Sequence, residues 1–192
     1  MAYNPLAFGL MLIAMGSLLF SFYVYACRKK ITNQQEKAYG GVFILLGIIA
    51  GVFAISMFIS APIPAHYIEV YGVGYFIFSI LSIIAGLCMV NKWDKQPAAY
   101  LAAIGGVILL GTARTVYNFS MSKSPVVTTA LFVLTGLGAM GTLSLTCTKK
   151  ISKDWITLIA LIFLVAGLLA LYSGLSAQFS HVGSQLATLA AT

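Results

Sequence analysis

Charge is what this 192-residue chain has least of. Asp and Glu together number four, Lys and Arg number eleven, and only 8% of the residues are charged, whereas 60% are hydrophobic. A soluble globular domain carries about a quarter charged residues, which solvate its surface. The composition and the mean hydropathy of +0.99 therefore exclude a water-soluble domain and indicate that lipid surrounds the chain.

Histidine and cysteine are also scarce, with two and three copies. Metal and haem sites usually draw on several such residues at fixed spacing, and neither Cys-x-x-Cys nor closely paired histidines occur here. Glycine-rich phosphate loops, nucleophile elbows and zinc-protease helices are missing too. We therefore expect no enzymatic catalysis, no metal site and no cofactor.

Long apolar runs are what the chain does contain. A transmembrane helix needs about 20 mostly apolar residues, and six runs reach this length: Pro5–Ala26, Ala38–Ser60, Tyr71–Val90, Ala98–Asn118, Val126–Thr146 and Trp155–Leu175. All five prolines lie at the edges of these runs, where a missing backbone N–H does little harm. The runs do not alternate apolar with polar residues, as strands of a membrane barrel do. The sequence therefore predicts an all-α, polytopic integral membrane protein, with a bundle of six transmembrane helices in residues 1–175.

The basic residues predict the orientation of these helices. Nine of the eleven fall in the first, third and fifth connections: Arg28, Lys29, Lys30, Lys37, Lys92, Lys95, Lys149, Lys150 and Lys153. By the positive-inside rule these connections are cytoplasmic. We therefore expect a multi-pass protein of the cell membrane with both termini extracytoplasmic. This topology accounts for the net charge of +7, so we expect no nucleic-acid partner.

Two patterns concern the organisation of the chain. The extracytoplasmic tail, residues 176–192, has apolar residues at helical spacing, and a short interfacial helix is one hypothesis for it. The stretch "YGGVFILLG" near the start of the second run is echoed by "AIGGVILLG" near the start of the fourth. Three pseudo-repeated helical hairpins are therefore a further hypothesis for the bundle.

Small residues recur one helical turn apart. They form Gly47-x-x-x-Gly51, Ala102-x-x-x-Gly106, "TGLGAMGT" at 135–142 and Ala166-x-x-x-Ala170. Such spacing lets helix backbones approach closely, within the chain or against another subunit.

Cys27, Cys88 and Cys147 each fall at the cytoplasmic end of a predicted helix. They are open to palmitoylation or to a shared metal, but plain small apolar residues are the simpler interpretation.

One charged residue, Arg114, falls inside a predicted helix, near its extracytoplasmic end. An unpaired intramembrane Arg is costly, and Glu69 is the acid predicted on the same side. We therefore expect an ion pair at the centre of an outer polar cluster: His66, Tyr67, Glu69, Tyr71, Tyr75, Arg114, Tyr117 and Asn118. An extended loop stiffened by Pro62 and Pro64 would carry part of it. This cluster either holds the fold together or binds an anion, a lipid head group or a quinone head.

The stretch "PIPAHYIEVYG", the turn "NKWDKQPAAY", "GTARTVYNFSMSKSP" and "VLTGLGAMG" together resemble a family of small polytopic membrane proteins from archaea and bacteria, domain-of-unknown-function family 981. The resemblance covers roughly residues 55–145. Pro62, Pro64 and Tyr67 match its outer loop and Arg114 its fourth helix, but Tyr71-Gly72 stands where the family has Phe-Gly. The resemblance implies the same architecture and adds no activity.

Two functions follow from these features. The scarcity of intramembrane charge and the small-residue faces favour a structural or accessory subunit of a larger membrane complex, with the bilayer and other membrane subunits or further copies of the chain as partners. The alternative is a small transporter, channel or binding protein for a solute, lipid or quinone at the outer rim around Arg114.

Overall fold

The computed structural model describes residues 5–61, 63–122, 124–147 and 152–190, leaving out the side chains of residues 147 and 184–190. Predictions that rest on Pro62, Lys123, the Cys147 side chain, Lys149 or Lys150 therefore lie outside the described residues. So do those on the side chains of the tail beyond residue 183.

The described residues form six long helices and no strand. The helices are α1 (Pro5–Arg28), α2 (Asn33–Ser60), α3 (Ala65–Asn91), α4 (Gln96–Asn118), α5 (Pro125–Cys147) and α6 (Lys153–Ala190). Each contains a stretch long and apolar enough to cross a membrane. The predicted all-α class and the six apolar helices are therefore confirmed, and the fold is compatible with a multi-pass membrane protein.

Helix α2 begins five residues before the apolar run because a capping box starts it. The Thr32 hydroxyl accepts a hydrogen bond of 3.2 Å from the Gln35 backbone N–H, and the Gln35 side chain accepts one of 2.9 Å from the Thr32 backbone N–H. These two bonds satisfy N–H groups that the first turn of a helix leaves free. The capped turn carries Glu36, which a helix N-terminus favours electrostatically.

Helix α3 begins earlier than predicted as well. The chain is helical from Ala65 onwards, so the extended loop expected to carry His66, Tyr67 and Glu69 is a helix start instead. Pro64 occupies the N-cap, and its backbone carbonyl accepts hydrogen bonds from the N–H groups of Tyr67 and Ile68, over 2.9 and 3.3 Å. Residues Ile68–Gly72 are π-helical, a local widening found often at functional sites.

Helix α6 continues without a break to Ala190. Residues 176–190, predicted as a separate tail, therefore extend the last apolar helix. No Gly-Pro or Asn-Gly punctuation interrupts this part of the chain, which explains the continuation.

The most extensive helix contacts join α1 with α6, α2 with α3 and α4 with α5. Glycines make the last two possible: a Cβ added at Gly86 would lie 2.6 Å from the Gly40 carbonyl oxygen, and one at Gly106 would lie 2.5 Å from the Gly136 carbonyl oxygen. The small residues predicted at positions 47, 106 and 136 are thus used inside the chain. Helices α1 and α2 touch much less, as do α3 and α4, although the hypothesis of repeated hairpins pairs them. The repeat itself remains a prediction.

The two ends of the bundle differ in charge. The basic end carries the connections 28–33, 91–96 and 147–153, and the opposite end carries 60–65 and 118–125. The buried residues form one cluster in each half. The bundle also encloses a cavity, which residues of both clusters line.

Candidate functional site

A cavity of about 360 Å³ runs along the inside of the bundle. Its walls come mainly from α1, α3, α4 and α5, and most of the atoms that line it are apolar. Lining residues extend from Ile13 to Cys27 on α1 and from Tyr71 to Met89 on α3. At 1.5 Å per residue these stretches are about 21–27 Å long, so the cavity is elongated along the helices.

At the opposite end of the bundle the cavity is closed. Tyr71, Tyr75, Leu131 and Phe132 line it there, and each is at most 4% exposed. The Tyr71 hydroxyl donates a hydrogen bond of 2.8 Å to the backbone carbonyl of Met121, which ties the π-helical segment to the connection after α4. Four buried side chains therefore separate the cavity from this side.

At the basic end the cavity reaches the surface beside three polar side chains, from α1, α2 and the connection between α3 and α4. Lys95 forms an ion pair with Glu36 and donates a hydrogen bond of 3.0 Å to the Tyr23 hydroxyl. The Tyr23 hydroxyl donates one of 3.3 Å to the Glu36 carboxylate. We call Tyr23, Glu36 and Lys95 the mouth cluster.

The mouth cluster lies between the cavity and solvent. Lys95 lines both the cavity and an open depression at the basic end, which Glu36, Lys92 and Asp94 also border. The side chain of Lys95 is 39% exposed and that of Glu36 is 21% exposed, so water reaches the pair. Lys95, Leu145 and Thr146 therefore lie where the depression and the cavity meet.

Hydroxyl groups supply the polar atoms deeper in the cavity. Ser17 on α1 and Ser82 on α3 line it and are only 4% and 5% exposed. Among the described residues neither hydroxyl makes a hydrogen bond. Two nearby serines do not line the cavity, and their hydroxyls are paired. Ser21 donates a hydrogen bond of 2.7 Å to the Ala160 carbonyl, and Ser79 donates one of 2.7 Å to the Gly47 carbonyl.

The structure divides the predicted outer polar cluster into two sets. Its aromatic members stack in a row: the His66 and Tyr67 rings are 4.5 Å apart between centroids, and the Tyr67 and Tyr71 rings are 6.3 Å apart. Tyr75 is buried one turn further along α3, against Phe53. Of the eight predicted site residues, only Tyr71 and Tyr75 line the cavity.

The other four members of the predicted cluster, which include its acid and its arginine, lie outside the cavity. Glu69, Arg114, Tyr117 and Asn118 all have exposed side chains. Within the described part of the chain, Arg114 and Glu69 form no ion pair with each other, although the sequence analysis expects one. The contacts between α3 and α4 are sparse, which explains why these two side chains do not meet.

Sequence reasoning missed the mouth cluster and the two cavity serines. Glu36 precedes the apolar run of α2 and Lys95 falls in a basic connection, so both are easily taken for solvated residues. One available signal was the scarcity of acids, since Glu36 is one of only four in the chain. Lys95 is 59 positions from Glu36 and 72 positions from Tyr23 in the sequence, so only tertiary packing brings these residues together.

Two cysteines also line the cavity near its mouth, Cys27 exposed and Cys88 buried. The Cys88 thiol donates to the Asp94 backbone carbonyl over 3.7 Å. In the described residues no three His, Cys, Asp or Glu side chains lie together in a way that holds a metal ion. The chemistry that this arrangement offers is the binding of a mainly apolar molecule by shape and by hydroxyl groups.

A bundle of six apolar helices around an elongated internal cavity defines a class: all-α proteins compatible with a multi-pass topology. The particular family follows from comparison of the sequence. The chain belongs to the family described as "Protein of unknown function (DUF981)", whose sequence profile matches residues 1–184. The resemblance found above is thereby confirmed, over more of the chain than residues 55–145. No curated protein and no solved structure matches the chain.

Proposed function

We propose that this protein is a non-catalytic, membrane-embedded binding protein for a small, mainly apolar molecule that enters from the basic end. The observation that carries the proposal is the elongated cavity, with buried tyrosines at one end and the mouth cluster at the other. Its volume of about 360 Å³ lies within the range of small-molecule sites. The binding site is the bundle interior, and not the outer rim around Arg114.

The shape of the mouth supports this direction of access. Lys95 is the one lining residue with a charged side chain among those described, and its charge is balanced by Glu36. A partly exposed ion pair is weak, typically contributing about 1 kcal/mol or less. Opening the mouth therefore costs little, whereas opening the opposite end requires four buried side chains to move.

Filling the cavity tests the proposal. Ala102 on α4 lines the cavity, while the adjacent Ala103, also half-buried, does not. In detergent or nanodiscs, 1-aminoanthracene should bind saturably to the wild-type protein and become fluorescent. Ala102→Phe should remove most of this signal because its ring occupies the cavity, and Ala103→Phe should retain it. Equal signals from both variants, or no saturable binding to the wild type, would refute the proposal.

A second function, accessory subunit of a larger membrane complex, is supported by Arg114. This side chain is exposed near one end of an apolar helix and has no acidic partner among the described residues. An acid from another chain is the partner that best offsets its burial in lipid. Blue-native electrophoresis should then show a large complex that Arg114→Gln dissociates and that Lys37→Gln, at the basic end, leaves intact. Migration of the wild-type protein as a single chain would exclude the function as a subunit of a larger complex.

A further inference from the structure

We infer that the cavity binds a neutral molecule with a carbonyl group, whose oxygen accepts hydrogen bonds from Ser17 and Ser82. The inference rests on the proposed binding function and specifies the chemical class of its ligand. The two serines are nine-tenths buried, line the cavity and have no hydrogen-bond partner among the described residues.

Three other hydroxyls that line the cavity are already engaged. Tyr71 donates to the Met121 carbonyl, and Thr135 and Thr142 donate to carbonyls of their own helix over 2.6 Å. Ser21 and Ser79 tie helices together and do not line the cavity. Ser17 and Ser82 therefore stand apart, because a buried hydroxyl without a partner is costly and usually finds one. A ligand oxygen supplies that partner.

The two serines lie at similar depth. Helices α1 and α3 run in the same direction, and the Phe78 ring fills the space where a Cβ of Gly16 would project. Counted from this contact, Ser17 and Ser82 differ in depth by three residues, or about 5 Å. From Cys27 and Cys88 at the mouth, they lie about 15 Å and 9 Å into the bundle. A single polar group halfway along an apolar molecule is thus within range of both helices.

The lining excludes a charged ligand group at this depth. Among the described lining residues there is no Asp, Glu, His or Arg, and Lys95 is at the mouth. An ionised group would therefore be buried without a partner, at a cost of several kcal/mol. Hydroxyl donors in an apolar wall suit a neutral acceptor, and a ketone, quinone or ester carbonyl has that chemistry.

The test compares two probes that differ only in the carbonyl, 2-nonanone and nonane. The wild-type protein in nanodiscs should bind the ketone more tightly than the alkane, after correction for partition into lipid. Ser17→Ala and Ser82→Ala should each weaken ketone binding about three- to tenfold, the usual effect of one lost hydrogen bond, and leave the alkane unchanged. Ser21→Ala and Ser79→Ala are matched controls that should lower the melting temperature without changing the ratio of the two affinities.

Infrared spectroscopy gives a second readout, which does not depend on a measured affinity. The carbonyl stretch of bound 2-nonanone should lie at lower frequency than in hexane, and should return towards the hexane value in the double variant Ser17→Ala, Ser82→Ala. Equal binding of both probes with an unshifted band would overturn the carbonyl inference and leave the cavity proposal standing. If neither probe binds, both the carbonyl inference and the cavity proposal are overturned. An equal change of the affinity ratio in Ser79→Ala would also overturn the inference, because packing and not the hydroxyl would then be the cause.

Discussion

The hydroxyl of Tyr71 donates a 2.8 Å hydrogen bond to the backbone carbonyl of Met121, fifty positions further along the chain. Both residues are buried, at 4% and 7% exposure. The bond links the π-helical start of α3 to the connection between α4 and α5. It therefore joins the α2–α3 and α4–α5 pairs at the end where the cavity is closed.

Removal of this bond should destabilise the fold. Tyr71→Phe keeps the ring but leaves the Met121 carbonyl without its partner, so we expect the free energy of unfolding to fall by about 1–2 kcal/mol. Unfolding in detergent, followed by circular dichroism, measures it. Tyr117→Phe is the control, since Tyr117 is 61% exposed and should tolerate the change. If both variants melt like the wild type, the bond does not stabilise the closed end.

The glycine contact between α4 and α5 should not tolerate a methyl group. A Cβ at Gly106 would lie 2.5 Å from the Gly136 carbonyl oxygen, so Gly106→Ala forces the helices apart and should destabilise the protein by about 1–3 kcal/mol. Gly111, on the same helix, has nothing within 4 Å of such a Cβ. Gly111→Ala should therefore be neutral or stabilise by up to about 1 kcal/mol, because alanine favours the helix. Melting of the two variants side by side distinguishes them, and the reverse order would contradict the helix pairing.

The ion pair of the mouth cluster should show a small, salt-dependent coupling. A double-mutant cycle of Lys95→Met and Glu36→Gln should give about 1 kcal/mol or less, because both side chains are partly exposed. The coupling should shrink at high ionic strength, which screens exposed charges. Lys37→Met replaces Lys95→Met in the control cycle, since Lys37 is exposed on the same helix as Glu36. Equal coupling in both cycles would mean that the contact has no specific energy.

Labelling of Cys27 tests the predicted orientation. Cys27 is exposed at the basic end, which the positive-inside rule assigns to the cytoplasm. In a variant with Cys88→Ala and Cys147→Ala, a membrane-impermeant maleimide should label Cys27 only after the cells are permeabilised. A cysteine introduced by Ser60→Cys, exposed at the opposite end, should react without permeabilisation in a chain that lacks the native cysteines. The reverse pattern would invert the topology.

Much of the fold is predictable from the sequence because each helix is a long apolar run bounded by proline or charge. The runs Pro5–Ala26 and Ala98–Asn118 end within two residues of the observed helices α1 and α4. The largest difference is at the end of α6, which continues to Ala190 instead of ending at Leu175. Two further differences occur where local chemistry extends a helix beyond its apolar part. Thr32 and Gln35 do this at the start of α2, and Pro64 does so at the start of α3.

The site was largely beyond sequence reasoning. Of the candidates that the sequence offers, Tyr71 and Tyr75 line the cavity, but Arg114 and Glu69 do not. The cause is physical: a helix suited to lipid is apolar on every face, so its pattern does not tell which face meets a neighbour. Arg114 stands out in the sequence because it lies inside an apolar run, whereas Glu36 and Lys95 lie outside the runs and resemble ordinary solvated residues.

The sequence by itself determined the all-α class and the number of long helices among the described residues, because each of these helices contains one uninterrupted apolar run of membrane-spanning length. Tertiary structure alone decided which helices pair, through close approaches such as Gly106 on Gly136. It also decided that Lys95 meets Glu36 and that Ser17 and Ser82 face one cavity. Those outcomes depend on the packing of surfaces distant in the chain, which no local pattern encodes.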